Sequence, residues 1–95
     1  MSNFIVRIEI HNGKSEDYNL LYSKMEEYGF SKIIIDSKTK IEYALPNGEY
    51  YLDKIINIDL LRSDLITIIQ IIKKNTEFLI SELKDLRSYN LTLVI

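Results

Sequence analysis

Residues 3–11, NFIVRIEIH, alternate without a break: Phe4, Val6, Ile8 and Ile10 fall on one side, and Ile5, Arg7, Glu9 and His11 on the other. Successive side chains of a strand point to opposite faces, so this period of two describes a strand with one buried and one open face. The chain must therefore build a sheet that is covered on one side only, and the remaining segments have to supply that cover.

HNGKSED, which follows, carries turn and helix-start signals. Asn12 and Gly13 tolerate positive φ, Ser15 is the expected N-cap, and Glu16 and Asp17 fall in the positive first turn. Tyr18, Leu21, Tyr22 and Met25 recur at i, i+3, i+4 and i+7, which predicts a helix to about Tyr28 ended by Gly29. KIIIDSKTKIEYALP then predicts a hairpin of strands at 32–36 and 40–46, joined by Ser37, Lys38 and Thr39 and stopped by Pro46. PNG reads as a turn before EYYLD, and 47–57 carries no decisive pattern. From Ile58 to Asn75, the residues Ile58, Leu61, Leu65, Ile68, Ile69 and Ile72 form one helical stripe. Asn57 or Asp59 caps its start, and Lys73 and Lys74 suit its negative end. Leu60 and Ile71 lie off this stripe and need another cover. EFLIS (77–81) predicts a strand; the tail 82–95 holds a polar, helix-compatible ELKDLRS and a β-branched NLTLVI that predicts an extra strand.

The expected order is βαββαβ, an α+β ferredoxin-like arrangement of an antiparallel sheet with two helices on one face and an extra C-terminal strand. At 95 residues the chain has room for one such domain, 1–95, and one core. Charge matters for the open face. Twelve basic and fourteen acidic residues give a net charge of -2, so there is no global positive field to hold nucleic acid, and any such contact needs a local patch. With no cysteine, a disulfide frame, a thiolate zinc site and a cysteine nucleophile are excluded. The amino terminus has no basic leader and no apolar run reaches about 18 residues, so a cytoplasmic chain without a membrane partner is expected.

Same-face positions on a strand are roughly 6.8 Å apart, which sets Glu9 between Arg7 and His11. In a chemical reading Glu9 orients His11, His11 acts as acid or base toward a 2′-hydroxyl, and Arg7 holds a phosphate. In the plainer reading the three residues wet the open face. Glu9 and Asp36, both near strand ends, are the carboxylates that could share a divalent cation, but no metal-binding motif supports them and no metal site is assigned. Seven tyrosines and three phenylalanines supply flat rings; Tyr18, Tyr22 and Tyr28 suit the core or its rim, while Tyr43, Tyr50 and Tyr51 could stack bases or a second subunit.

NFIVRIEIH (3–11), DYNLLYSKMEEYGF (17–30) and YALPNGEY (43–50), with a looser continuation in TEFLISELKDLRSYNL (76–91), resemble the GhoS-type family of type V toxin–antitoxin endoribonuclease antitoxins and its short relatives. The matching positions are Arg7, Glu9, His11, Tyr18, Met25, Gly29, Phe30, Tyr43, Pro46, Glu49 and Tyr50. The resemblance implies a ferredoxin-like domain similar to a group of small CRISPR-associated proteins, and a sequence-biased RNase acting on a toxin's messenger RNA. Three residues before Met25, where the family can carry a basic side chain, this chain has Tyr22, which cannot neutralise a phosphate.

Two functions are therefore expected in alternative. One is an antitoxin-like binder of single-stranded RNA with Tyr22, Tyr43 and Tyr50 stacking bases, Arg7 and Lys40 contacting phosphates, and His11 with Glu9 and Arg7 cleaving without metal or other cofactor. The other is a noncatalytic homodimeric interaction module that uses the open sheet face. In the dimer the apolar tail adds a strand to the partner's sheet, with fold-back onto its own sheet as the competing form.

Overall fold

The computed structural model describes residues 2–36 and 38–94. Along the chain the elements are β1 (Asn3–Ile10), α1 (Ser15–Tyr28), β2 (Ile33–Ile35), β3 (Glu42–Ala44), β4 (Glu49–Asp53), α2 (Ile58–Ile69), β5 (Thr76–Glu82) and β6 (Thr92–Leu93). They form an α+β fold with two small antiparallel sheets, ordered β4-β1-β5 and β2-β3-β6. A single antiparallel bridge between Ser31 and Tyr51 ties the β2 side of the second sheet to β4. The arrangement is compatible with a ferredoxin-like fold.

The alternation read in residues 3–11 is the organising feature. Phe4, Val6, Ile8 and Ile10 are buried, in register with Leu52 and Tyr50 of β4 and with Ile80, Phe78 and Thr76 of β5. Leu21 and Met25 of α1 and Leu61 and Leu65 of α2 complete the same apolar cluster, so both helices cover the inward face. Gly29 ends α1 at φ 122, its N–H donating to the Met25 and Glu26 carbonyls. Asn57 caps α2 through its side-chain oxygen, which accepts from the Asp59 amide at 2.8 Å.

Several expectations need correction. The strand expected over 40–46 is shorter, Glu42–Ala44, and pairs with β2 in the second sheet, while β1 lies between β4 and β5. The expected hairpin is real but peels away from the main sheet, and EYYLD takes its place because Tyr50 and Leu52 share the inward parity of Val6 and Phe4. Ser37 of the connecting turn lies outside the described residues, as does Ile95 of the tail. At α1 the N-cap is Lys14, not Ser15; the Asp17 carboxylate reaches back to accept the Lys14 amide at 2.9 Å. The second helix stops at Ile69, six residues before Asn75, and Ile72 reaches the core from a turn instead. ELKDLRS is not helical, and β6 pairs with β3, Tyr43 opposite Leu93 and Ala44 opposite Thr92.

Gly48 sets β4 in place. Its φ is 81, its carbonyl accepts the Ile8 amide at 2.8 Å, and a Cβ there would lie 2.7 Å from the Ile8 carbonyl oxygen. Backbone cannot yield as a side-chain tip can, so strain and clash act together. Gly48→Ala is expected to lower unfolding stability by about 1–3 kcal/mol, read as a fall in the urea midpoint at unchanged slope.

Candidate functional site

The outward side of the main sheet gathers the residues that the alternation set apart. Ile5, Arg7 and Glu9 of β1 face outward; β4 places Tyr51 opposite Ile5 and Glu49 opposite Arg7, while β5 places Ser81, Leu79 and Glu77 opposite Ile5, Arg7 and Glu9. Arg7, Glu9, Glu77, Phe78 and Leu79 line a shallow depression of about 350 Å³. Leu79, one of its lining residues, is 67% exposed. Among the described residues Arg7 has no ion-pair partner within 4 Å. Three carboxylates, Glu9, Glu49 and Glu77, share the face with that one guanidinium, and Glu9 and Glu77 stand directly opposite each other across the strands. Like charges in that relation repel.

His11 joins the face from the end of β1. Its amide donates to the Asn75 carbonyl at 2.8 Å, and its Nε2 lies 3.4 Å from Glu77 Oε1. The carboxylate beside the imidazole is therefore Glu77 of β5, not Glu9 as the spacing suggested. The turn that carries His11 is held from two elements. Lys74 Nζ donates to the Asn12 carbonyl at 2.8 Å and to Asp17 Oδ2 at 2.6 Å, so the cation expected at the end of α2 serves the start of α1. Asn12 itself is at φ 57. The Lys14 amide first, and then Lys74, hold the Asp17 carboxyl below its usual range.

The tyrosines do not join this face. Tyr50 is buried at 2% exposure, edge-on to Phe30 at 6.4 Å and 6.2 Å from the Tyr22 ring. Burial pushes its hydroxyl up to about 12. Lys32 covers the remaining side, its Nζ 4.7 Å from the ring centre and bonded to the Pro46 and Glu49 carbonyls. A ring enclosed in this way has no face left for a base, which removes Tyr50 as a stacking candidate. Tyr22, half-buried, lies with Tyr50 on the helix side of the sheet and donates its hydroxyl to Glu26 at 3.3 Å. Tyr43 is in β3, opposite Ile34 and Leu93 of the second sheet. Lys40 sits in the β2–β3 turn at φ 62 with its amide on the Asp36 carbonyl. Of the expected site residues, only Arg7, Glu9 and His11 come together.

Asp36 is a turn residue: its Oδ1 accepts the Lys38 and Thr39 amides at 2.8 and 3.0 Å, which hold the carboxyl low. Among the described residues no three His, Cys, Asp or Glu side chains cluster as metal ligands would. Two contacts were not legible from sequence. Tyr28 donates to Asp64 Oδ2 at 2.6 Å, linking the helices, and Lys54 lies 4.2 Å over the same ring. Burial and then this bond raise the Tyr28 hydroxyl well above its ordinary value. Below them Lys24, Glu27, Tyr28, Thr67, Ile68 and Ile71 line the cleft between α1 and α2, which gives Ile71 part of the cover it needs. No helix among the described residues is long and apolar enough to cross a membrane. No protein-family model matches the chain, and no curated protein matches it.

Tyr50→Ala is expected to cost about 3–5 kcal/mol of stability, as for a large core aromatic, measured by thermal or urea unfolding without any nucleic acid present. For Asp17 the folded carboxyl is depressed, so its contribution is present above the unfolded value of 3.8 and is lost as pH falls through the folded one. The stability gap between the native chain and Asp17→Asn is expected to be constant near neutrality and to close below about pH 4, followed by urea midpoints from pH 7 to 2.5.

Proposed function

We propose that this chain is a ferredoxin-like, noncatalytic interaction module whose outward sheet face is its binding surface. The observation that carries this reading is the composition of that face: exposed Leu79 opposite Arg7, on a face that also carries Glu9, Glu49 and Glu77. An exposed apolar side chain bordered by charged residues on the sheet suits a protein partner, since small interfaces pair apolar contacts with a polar border. The excess of carboxylates repels phosphates, and the rings and the second cation proposed for RNA stand elsewhere in the fold. The ferredoxin-like assignment is supported by β4-β1-β5 order with β2 bridged to the far side of β4.

One observation favours the antitoxin-like endoribonuclease instead: His11 Nε2 is 3.4 Å from a carboxylate, on the face that also bears Arg7. In that reading Glu77 replaces Glu9 as the group that orients the imidazole. His11 would take the proton of a 2′-hydroxyl while Arg7 contacts the phosphate, a mechanism that needs no metal. The two readings separate in one assay. As an interaction module the purified protein leaves AU-rich single-stranded RNA intact in EDTA and shows no RNA affinity that falls steeply with added salt, whereas its protein contact changes little with salt. Cleavage in EDTA that falls about 100-fold or more in His11→Ala, and more in Glu77→Gln than in Glu9→Gln, would overturn the module reading and establish the other.

A further inference from the structure

β5 ends the main sheet. It pairs with β1 on one side only, so along its seven residues alternate N–H and C=O groups face outward with no strand beside them among the described residues. We infer that this edge pairs with the β5 edge of a second copy of the chain, antiparallel about a two-fold axis through Leu79, to give one continuous six-stranded sheet. The inference deepens the interaction-module reading, on which it rests, by naming the partner.

The register follows from the sequence of the strand. In a continuous sheet, opposed residues must share a face, so Thr76, Phe78, Ile80 and Glu82 can oppose only one another, as can Glu77, Leu79 and Ser81. A two-fold at Leu79 sets Leu79 against its own copy, Phe78 against Ile80, Glu77 against Ser81 and Thr76 against Glu82. All seven residues are then paired, each carboxylate meets a hydroxyl, and no like charges are opposed. Sliding by two residues one way leaves Ser81 and Glu82 without partners and sets Glu77 against Leu79. Sliding the other way sets the Glu82 carboxylate against Phe78, and sliding further in the first direction sets Glu77 against its own copy. The full-length register is the complementary one.

Two neighbouring surfaces agree with it. Leu79 is 67% exposed on the outward side and gains an apolar partner at the axis. On the helix side, α2 bonds α1 through Asp64, and Ile66, two residues on, lies roughly 200° further round the helix, on the flank turned away from α1. That flank is the one nearest the β5 edge, since α1 packs over Tyr50 of β4. Ile66 is 37% exposed, on the side from which the copy's helix would approach. An isologous pairing of this kind closes on itself and leaves no free β5 edge.

The absence of cysteine allows a direct test on the full chain. Residues directly opposed in an antiparallel pair have Cα atoms about 4.5 or 5.5 Å apart, both within disulfide reach. Leu79→Cys is expected to oxidise to a covalent dimer at low micromolar concentration. Ile35→Cys, equally exposed at 62% on the second sheet, is expected to stay monomeric on a denaturing gel. Leu79→Lys, which opposes two cations at the axis, is expected to weaken dimerisation by about tenfold or more in sedimentation while leaving the urea midpoint unchanged at dilutions where both chains are monomeric. A native chain that remains monomeric at high concentration would overturn the inference, as would crosslinking through Ile35→Cys and not Leu79→Cys. The latter outcome leaves self-association, and with it the module reading, standing. RNA cleavage by a chain that still crosslinks at Leu79→Cys would remove the module reading and leave the dimer.

Discussion

The main sheet and the helices over it are built on the inward row of β1. Phe4, Val6, Ile8 and Ile10 are 3% exposed or less, and each side chain of this kind is stabilised by about 1.5–3 kcal/mol on leaving water, an upper figure because the unfolded chain already buries some of it. β1 is also paired on both sides, so both neighbours must match its parity; a slip of one residue would send their apolar side chains to solvent and their charges to the core. That constraint selects Tyr50 and Leu52 from one neighbour and Phe78 and Ile80 from the other. It also fixes, with no further freedom, which side chains face outward.

The strength of that pattern explains what the sequence reveals and what it hides. The strand at 3–10, the helix ended by Gly29 and the Asn57 cap are local features, written in period, turn residue and side-chain acceptor, and they stand where the pattern puts them. The second helix ends at Ile69, short of its apolar period, because periodicity does not distinguish a last helical turn from an irregular one. Ile72 lies on the helical stripe, yet its amide bonds to the Ile69 carbonyl from a turn and its side chain is still buried. β4 was obscured for the opposite reason. Five residues bounded by Glu49 and Asp53, behind the Pro46-Asn47-Gly48 turn, offer too short an alternation to compete with the plainer hairpin upstream.

The same division runs through the candidate site. Parity alone placed Arg7, Glu9 and His11 on one face, and that is a property of one strand. Which carboxylate meets His11 depends on which strand lies alongside, and β5 reaches β1 only across the whole length of the domain, so Glu77 was invisible to any local reading. Tyr50 makes the point from the other side. As one of three tyrosines around a loop it looks available, and only the pairing of β4 with β1 turns its ring inward beneath Lys32. Burial then depresses the Lys32 amine, opposed by the nearby Glu49 carboxylate, so the ring is roofed by a cation that itself is partly withdrawn from water.

Both helices lie on the inward side of the main sheet, and the tail decides which part of the other side is left open. After β5, Leu83 donates its amide to the Asn3 carbonyl, and the chain then crosses toward the second sheet, where Leu86 lines a cavity of about 350 Å³ with Gly29, Ser31, Ile33, Tyr51 and Asp53. Tyr51 is an outward residue of β4, so the tail shelters the β4 side of the outward face before β6 docks on β3. No such segment returns over Leu79 among the described residues. The outward face is therefore asymmetric: sheltered and hydrogen-bonded at one edge, through Tyr51 and Asn3 at 3.0 Å, and open at the other, where the free strand edge and the exposed apolar side chain coincide. An unsatisfied backbone edge and an uncovered leucine are separately tolerable on a surface. Placed together on β5, they give the main sheet an edge at which a partner strand would satisfy both at once.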